Sequence, residues 1–245
     1  MDKVVVVSNL IVRFEQFTAV NGVSFDVAAG EVRGVLGGNG AGKSTTLRTI
    51  GGVIKPTSGI VTIGGQNVQT LKGGNKARAL TGYCPDVGGL ISGATPLEHV
   101  KLLAGLRRDK ELYKRGLDEI ERFNLGEFAN TPVGGFSHGM MRRLSVALAV
   151  LSAKSLLILD EPYDGVDTLG DDIINDVITE LKNDGIAVIV STHRQNMLAN
   201  ISDSISVMSK SMLLTTLPSE QLAGKEGKAR YADLLLQHNA MRTHR

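Results

Sequence analysis

The sequence predicts an α/β fold: a buried core sheet, an antiparallel β subdomain joined to it, and an inserted helical subdomain. Three observations predict it. Short apolar runs bounded by polar turns recur at Val32–Leu36, 155–159 and 186–190, as in parallel strands buried on both faces. A glycine-rich segment leaves the first of these runs and opens a helix-forming stretch, Lys43–Ile50. The middle of the chain changes from strand-like runs to helical spacing.

In chain order, strands are expected over Lys3–Phe14, 23–27, Val32–Leu36 and 59–63. Ala29-Gly30 and Pro56-Thr57-Ser58-Gly59 supply the turns between them. Helices follow over Pro96–Arg107, 110–124 and 139–152, the last with Leu144, Leu148 and Leu151 on one face. A strand at 155–159, a helix at 169–182 and a strand at 186–190 close the pattern. The expected division is one domain over 1–222, with a helical insertion at about 86–152, and a tail over 223–245. From Gly224 onward the tail carries five basic and two acidic side chains, with Tyr231, Leu234 and Leu235 at helical spacing. A loosely packed terminal extension is expected there, with a partner-binding or membrane-surface helix as the alternative.

Composition removes several classes. A balance of 27 basic against 25 acidic side chains leaves no electrostatic footprint for nucleic acid. No run approaches the roughly 18 apolar residues of a membrane span. The Val4–Val7 run is too short for a signal-peptide core and reads as a first strand. A single cysteine, Cys84, excludes an internal disulfide and a cysteine cluster for zinc, and fits a reducing cytosol.

The glycine-rich segment is Gly37-Gly38-Asn39-Gly40-Ala41-Gly42-Lys43-Ser44, followed by Thr45. It fits the loop that wraps the phosphates of ATP or GTP. Glycines let backbone N–H groups converge on phosphate oxygens, and the helix beyond them points its positive end at the same anion. Lys43 would reach the β- and γ-phosphates, and the Ser44 hydroxyl would hold Mg²⁺. With a strand before it and a helix after it, the segment marks a P-loop nucleotide core.

Such a loop needs a metal-holding carboxylate on a neighbouring strand. Asp160 ends an apolar run, Leu156-Leu157-Ile158-Leu159, at the sheet edge where α/β folds place ligand contacts. Glu161 follows, placed to act as general base on the attacking water. A third core strand leaves through Ser191-Thr192-His193 at the same edge. His193 is therefore either a γ-phosphate contact that helps hold the water or a structural residue.

These residues together resemble the ATP-binding cassette (ABC) ATPase domain of ABC transporters, over about 4–222. Phe136-Ser137-His138-Gly139-Met140 looks like a variant of the family's LSGGQ signature. The resemblance implies Phe14 as the aromatic that stacks on adenine and Asp167 as the acidic residue of the inter-cassette loop. It implies Thr81-Gly82-Tyr83-Cys84-Pro85-Asp86 as the entry to the helical insertion. The wording there and at Arg142-Arg143-Leu144-Ser145 is most similar to subfamily A and its bacterial relatives.

The implied mechanism is an ATP-driven clamp of two cassettes meeting head to tail. Each ATP lies between one phosphate loop and the other cassette's Ser137, His138, Gly139 and Met140. The implied partners are a second cassette and a transmembrane domain, at the cytoplasmic face of a membrane. Three positions depart from the family. Asp86 replaces a glutamine that approaches metal and water, and brings a charge that repels phosphate. His138 replaces a glycine, and Met140 a polar residue. Lys43, Ser44, Asp160, Glu161 and His193 act on this chain's own ATP and are intact, whereas the altered signature acts on the partner's. That asymmetry favours a heterodimer, or a two-cassette polypeptide of which this chain is one part, over a homodimer. A regulatory cassette with little turnover is the alternative; a soluble repair or translation ATPase fits less well, because the chain has neither a coiled-coil insertion nor a second cassette.

Overall fold

The computed structural model describes residues 2–243. Strands β1 (Lys3–Phe14) and β2 (Phe17–Ala28) pair as a long antiparallel hairpin with Phe14 opposite Phe17. Val5 and Val7, then Leu10 and Val12, point into the core with period 2 on either side of a register shift at residues 8–9. The second strand starts well before the expected 23–27, because pairing with β1 recruits the polar residues ahead of it. Next come β3 (Val32–Leu36), α1 (Lys43–Ile50), β4 (Ser58–Ile63) and β5 (Gln66–Asn67). Helix α2 (Leu71–Leu80) and strand β6 (Thr81–Cys84) follow. The sequence reading left α2 unassigned, since Gly73 and Gly74 weaken its helical signal. Thr70 nevertheless caps it, accepting a bond from Gly73 N.

The expected helical middle is present as α3 (Pro96–Arg107), α4 (Lys110–Arg122) and α5 (His138–Ser152). Thr95 and Glu98 form a capping box at the start of α3. Strand β7 (Leu156–Asp160), helix α6 (Thr168–Asn183) and strand β8 (Ala187–Thr192) lie within two residues of the expected boundaries. Helix α7 (Gln195–Ile201), strands β9 (Ser204–Ser209) and β10 (Met212–Pro218), and helix α8 (Gly224–Thr243) complete the chain.

Two sheets result. One has the order β2-β1-β4-β5 and is antiparallel; the other runs β10-β9-β3-β8-β7-β6, parallel except at the β10 edge. The parallel sheet is buried on both faces by alternate residues. Leu156, Ile158, Ala187 and Ile189 pack with the antiparallel sheet and α1. Leu157, Leu159, Val188 and Val190 pack under the helices. Helix α5 joins the inserted helices to this core: a Cβ placed on Gly82 of β6 would lie 1.9 Å from the Ala149 carbonyl oxygen.

The tail corrects an expectation. Gly224–Thr243 is a helix, with Tyr231 and Leu234 packed on the main core and His238 buried. The Gln195 side chain holds the turn before it, donating to the Leu222 carbonyl at 2.7 Å.

Cys84 ends β6 with no exposed surface, and burial pushes its thiol up to about 11. The folded protein is therefore expected not to react with a thiol reagent near pH 8, and to titrate one thiol per chain in denaturant. Fast labelling of the native chain would contradict this burial.

Candidate functional site

The strand order β3-β8-β7 brings three chain segments to one sheet edge. Leu36 lies opposite Thr192, and Asp160 opposite Ser191. The loop leaving β3 turns through Gly40 (φ 76°) and Gly42 (φ 100°) into α1. Gly42 must be glycine on two counts: its φ, and the Ala19 carbonyl oxygen that a Cβ would approach to 2.6 Å. Behind the loop, Gly37 abuts the Met208 carbonyl, and Ser211 N donates to Ala41 O at 3.1 Å. Strands β2 and β9 thus press the loop into shape.

Lys43 is 6% exposed, donates to Gly37 O at 2.8 Å, and pairs with Glu161 Oε1 at 3.1 Å. The other Glu161 oxygen faces His193 Nδ1 at 3.3 Å. Glu161 itself sits at φ 49°, a region that costs a side-chain-bearing residue about 1–3 kcal/mol and that clusters at functional sites. Its N–H is held by both the carbonyl and the hydroxyl of Ser191, each at 3.1 Å.

Asp160 is fully buried beneath this layer. Its Oδ1 accepts from Ser191 Oγ at 2.6 Å and from Ser44 Oγ at 3.1 Å, while its Oδ2 is buried with no protein partner. Burial raises its carboxyl above the usual range; the two hydroxyl bonds pull it back, and the Asp86 and Glu161 charges push it further up. An orphaned, desolvated carboxylate oxygen beside a serine hydroxyl suits a hard cation with oxygen ligands, so the donor set fits Mg²⁺.

Residues 38–45 with Asp86, Glu161, Asp164 and His193 line one cleft. The other expected site residues lie outside that lining. Gly37 backs the loop, and Phe14 stands 47% exposed at the hairpin tip. Ser137 caps α5, accepting from Met140 N at 3.2 Å. Asp167 caps α6, accepting from Gly170 N at 2.9 Å. His138 and Gly139 rest against Gly165 of the same chain: a Cβ on Gly165 would lie 2.1 Å from the imidazole. The His138 side chain therefore lies back on its own loop. Asp86 reaches the cleft, but its carboxylate faces Arg142 at 3.4 Å. The repulsion expected of its charge is thus met by a guanidinium that the sequence reading had given no role.

Asp164 was also missed. Its signal was an acidic residue three positions after Glu161 in the same turn; Glu161, Asp164 and His193 bring ligand atoms within 4.8 Å of one another. Ser191 was read only as part of a strand end, yet it holds Asp160 and Glu161 together.

The family model of ABC transporters matches residues 20–164. The chain is 32% identical over 212 residues to ABC transporter A family member 5 of Dictyostelium discoideum, covering 85% of this chain and 13% of that protein. It is 27% identical over 221 residues to the lipopolysaccharide export system ATP-binding protein LptB of Haemophilus influenzae, covering 89% and 92%. Among solved structures it superposes, at a TM-score of 0.81 and 26% identity, on a dimeric post-hydrolysis state of the ATP-binding cassette MJ0796 bound to ADP and Pi, covering 88% and 99%. Phosphate loop, buried carboxylate and matched relatives agree: the chain belongs to the ABC transporter family, as one of its nucleotide-binding cassettes.

Proposed function

We propose that this chain binds ATP in the cleft over residues 38–45 and hydrolyses it, driving transport through a separate membrane domain by ATP-dependent pairing of two cassettes. The observation that carries this reading is the convergence of Lys43, Ser44, Asp160, Glu161 and His193 at one sheet edge. Loop N–H groups and Lys43 bind the phosphates, Phe14 stacks on adenine, and Ser44 with Asp160 holds Mg²⁺. The metal supplies charge neutralisation at the β- and γ-phosphates. Glu161 takes the proton of the attacking water, and His193 holds that water with it. Asp86 is left out of the metal set because Arg142 claims its carboxylate.

The working cassette is 1–222, with the helical insertion over about 86–152 as the face for the membrane domain. Exposed Val53, Leu102 and Leu106 on the groove beside α3 support that docking. We place the cassette at the cytoplasmic face, held there by its membrane partner; no helix among the described residues is itself long and apolar enough to cross a membrane. Ser137, His138, Gly139, Met140 and Asp167 meet the partner cassette, and a heterodimer is favoured because this signature is the altered half. Asp86 and His138 also favour a second reading, a regulatory cassette with little turnover.

Steady-state ATP hydrolysis across protein concentration, with Glu161→Gln as blank, separates these. Turnover rising cooperatively above the blank means a self-sufficient motor. ATP binding without turnover means a cassette that needs another partner or regulates one. No ATP binding ends both readings.

A further inference from the structure

Arg142 on α5 is 5% exposed, and its pairing with Asp86 is the only part of it used above. A guanidinium carries five donors and keeps its charge, so it is buried stably only where acceptors and a counter-charge meet it. Here they do. Nη1 donates to the Pro85 carbonyl at 2.8 Å and to the Asp160 carbonyl at 3.4 Å. Nη2 donates to the Asp86 carbonyl at 2.5 Å and to Asp86 Oδ1 at 3.4 Å.

One side chain therefore ties together the turn after β6, the end of β7, and the helix that begins at the signature. Two of the three departures from the family pattern lie at this knot: Asp86 and His138 line the same small cavity as Arg142. The Asp86 turn also borders the phosphate cleft. An incoming polyphosphate repels the Asp86 carboxylate at the cleft wall, and the buried guanidinium feels nucleotide through that carboxylate. The planar fork is rigid, and a shift of the turn at 85–86 is passed to α5 rather than absorbed.

We propose that Arg142 is a positioning residue that transmits nucleotide occupancy from Asp86 and Asp160 to the first turns of α5, with the Asp86 carboxylate as its counter-ion. The inference rests on the nucleotide-site reading above. It gives the chain a route by which its own ATP sets the signature it offers to a partner. Lysine keeps the charge but cannot span the Pro85, Asp86 and Asp160 carbonyls together, so Arg142→Lys breaks the link. Asp86→Asn keeps both carbonyl bonds of that turn and removes only the counter-charge.

The test is amide hydrogen exchange of the full chain, with and without the non-hydrolysable β,γ-imido analogue of ATP plus Mg²⁺. In the wild type, exchange over 137–145 is expected to slow about fivefold or more on binding. Arg142→Lys should lose that response while its Kd for the analogue stays within about threefold of wild type; Asp86→Asn should lose at least half of it while binding the analogue as tightly as wild type or more tightly, since a charge that repels phosphate is gone. A full response in either variant, or a wild type that binds without responding over 137–145, overturns the proposal. If Arg142→Lys fails to fold, Asp86→Asn decides alone. A wild type that does not bind the analogue overturns the nucleotide-site reading itself, which the binding titration reports separately.

Discussion

Replacing Glu161 with Gln is expected to lower ATP turnover by about 10²–10³-fold while leaving ATP binding equal or tighter. The substitution keeps the side-chain shape and both bonds that the backbone N–H donates to Ser191, so the strained turn at φ 49° is retained. What it removes is a basic oxygen beside His193 and the counter-ion of Lys43. The second loss explains the binding half of the prediction. The Glu161 carboxylate holds Lys43 at 3.1 Å, so in the proposed site a phosphate competes with it for the ammonium. Glutamine competes less well for the ammonium. Steady-state rates and a fluorescent-nucleotide titration on the same preparation check both halves. Unchanged turnover removes the general-base assignment; affinity weakened more than about tenfold, or about 1.4 kcal/mol, would mean that Glu161 serves to hold the loop.

Gly82→Ala should be the most destabilising single methyl in the molecule's core, at about 3 kcal/mol. The added Cβ would fall 1.9 Å from the Ala149 carbonyl oxygen, with the Ala149 carbonyl carbon and Ala153 N within 3.0 Å. All three are backbone atoms of a helix end, so no side chain can swing aside. Helix α5 would have to lift from β6, opening the junction between inserted helices and sheet. For a chain of this size the midpoint of thermal unfolding should fall by about 10 °C. Gly105→Ala is the control: it lies inside α3 with nothing within 4 Å of its Cβ, and should gain about 0.5–1 kcal/mol from helix propensity. Equal melting of the two variants would mean that the β6–α5 contact yields to an added methyl.

Much of the site was legible because its chemistry is local. Eight consecutive residues hold the phosphate loop, and Asp160-Glu161 follows the apolar run that buries it. The helical middle was legible for the same reason, since its spacing repeats within one element. Elements with weak or mixed local signals were not. Strand β9 interleaves serines with Ile205 and Val207 and becomes a strand by pairing with β3 and β10. Helix α8 reads as a basic extension until the core receives Tyr231 and Leu234.

The sequence by itself determined which side chains could handle a nucleotide and in what order they come, because residue type and spacing along a strand or helix are properties of neighbours in the chain. Only the tertiary structure decided their pairings. Arg142 claims Asp86 across 56 positions, Ser191 holds Asp160 across 31, and His138 lies against Gly165 of the loop after β7. Such partners are selected by sheet order and helix packing, which bring together residues whose separation along the chain carries no trace of the contact.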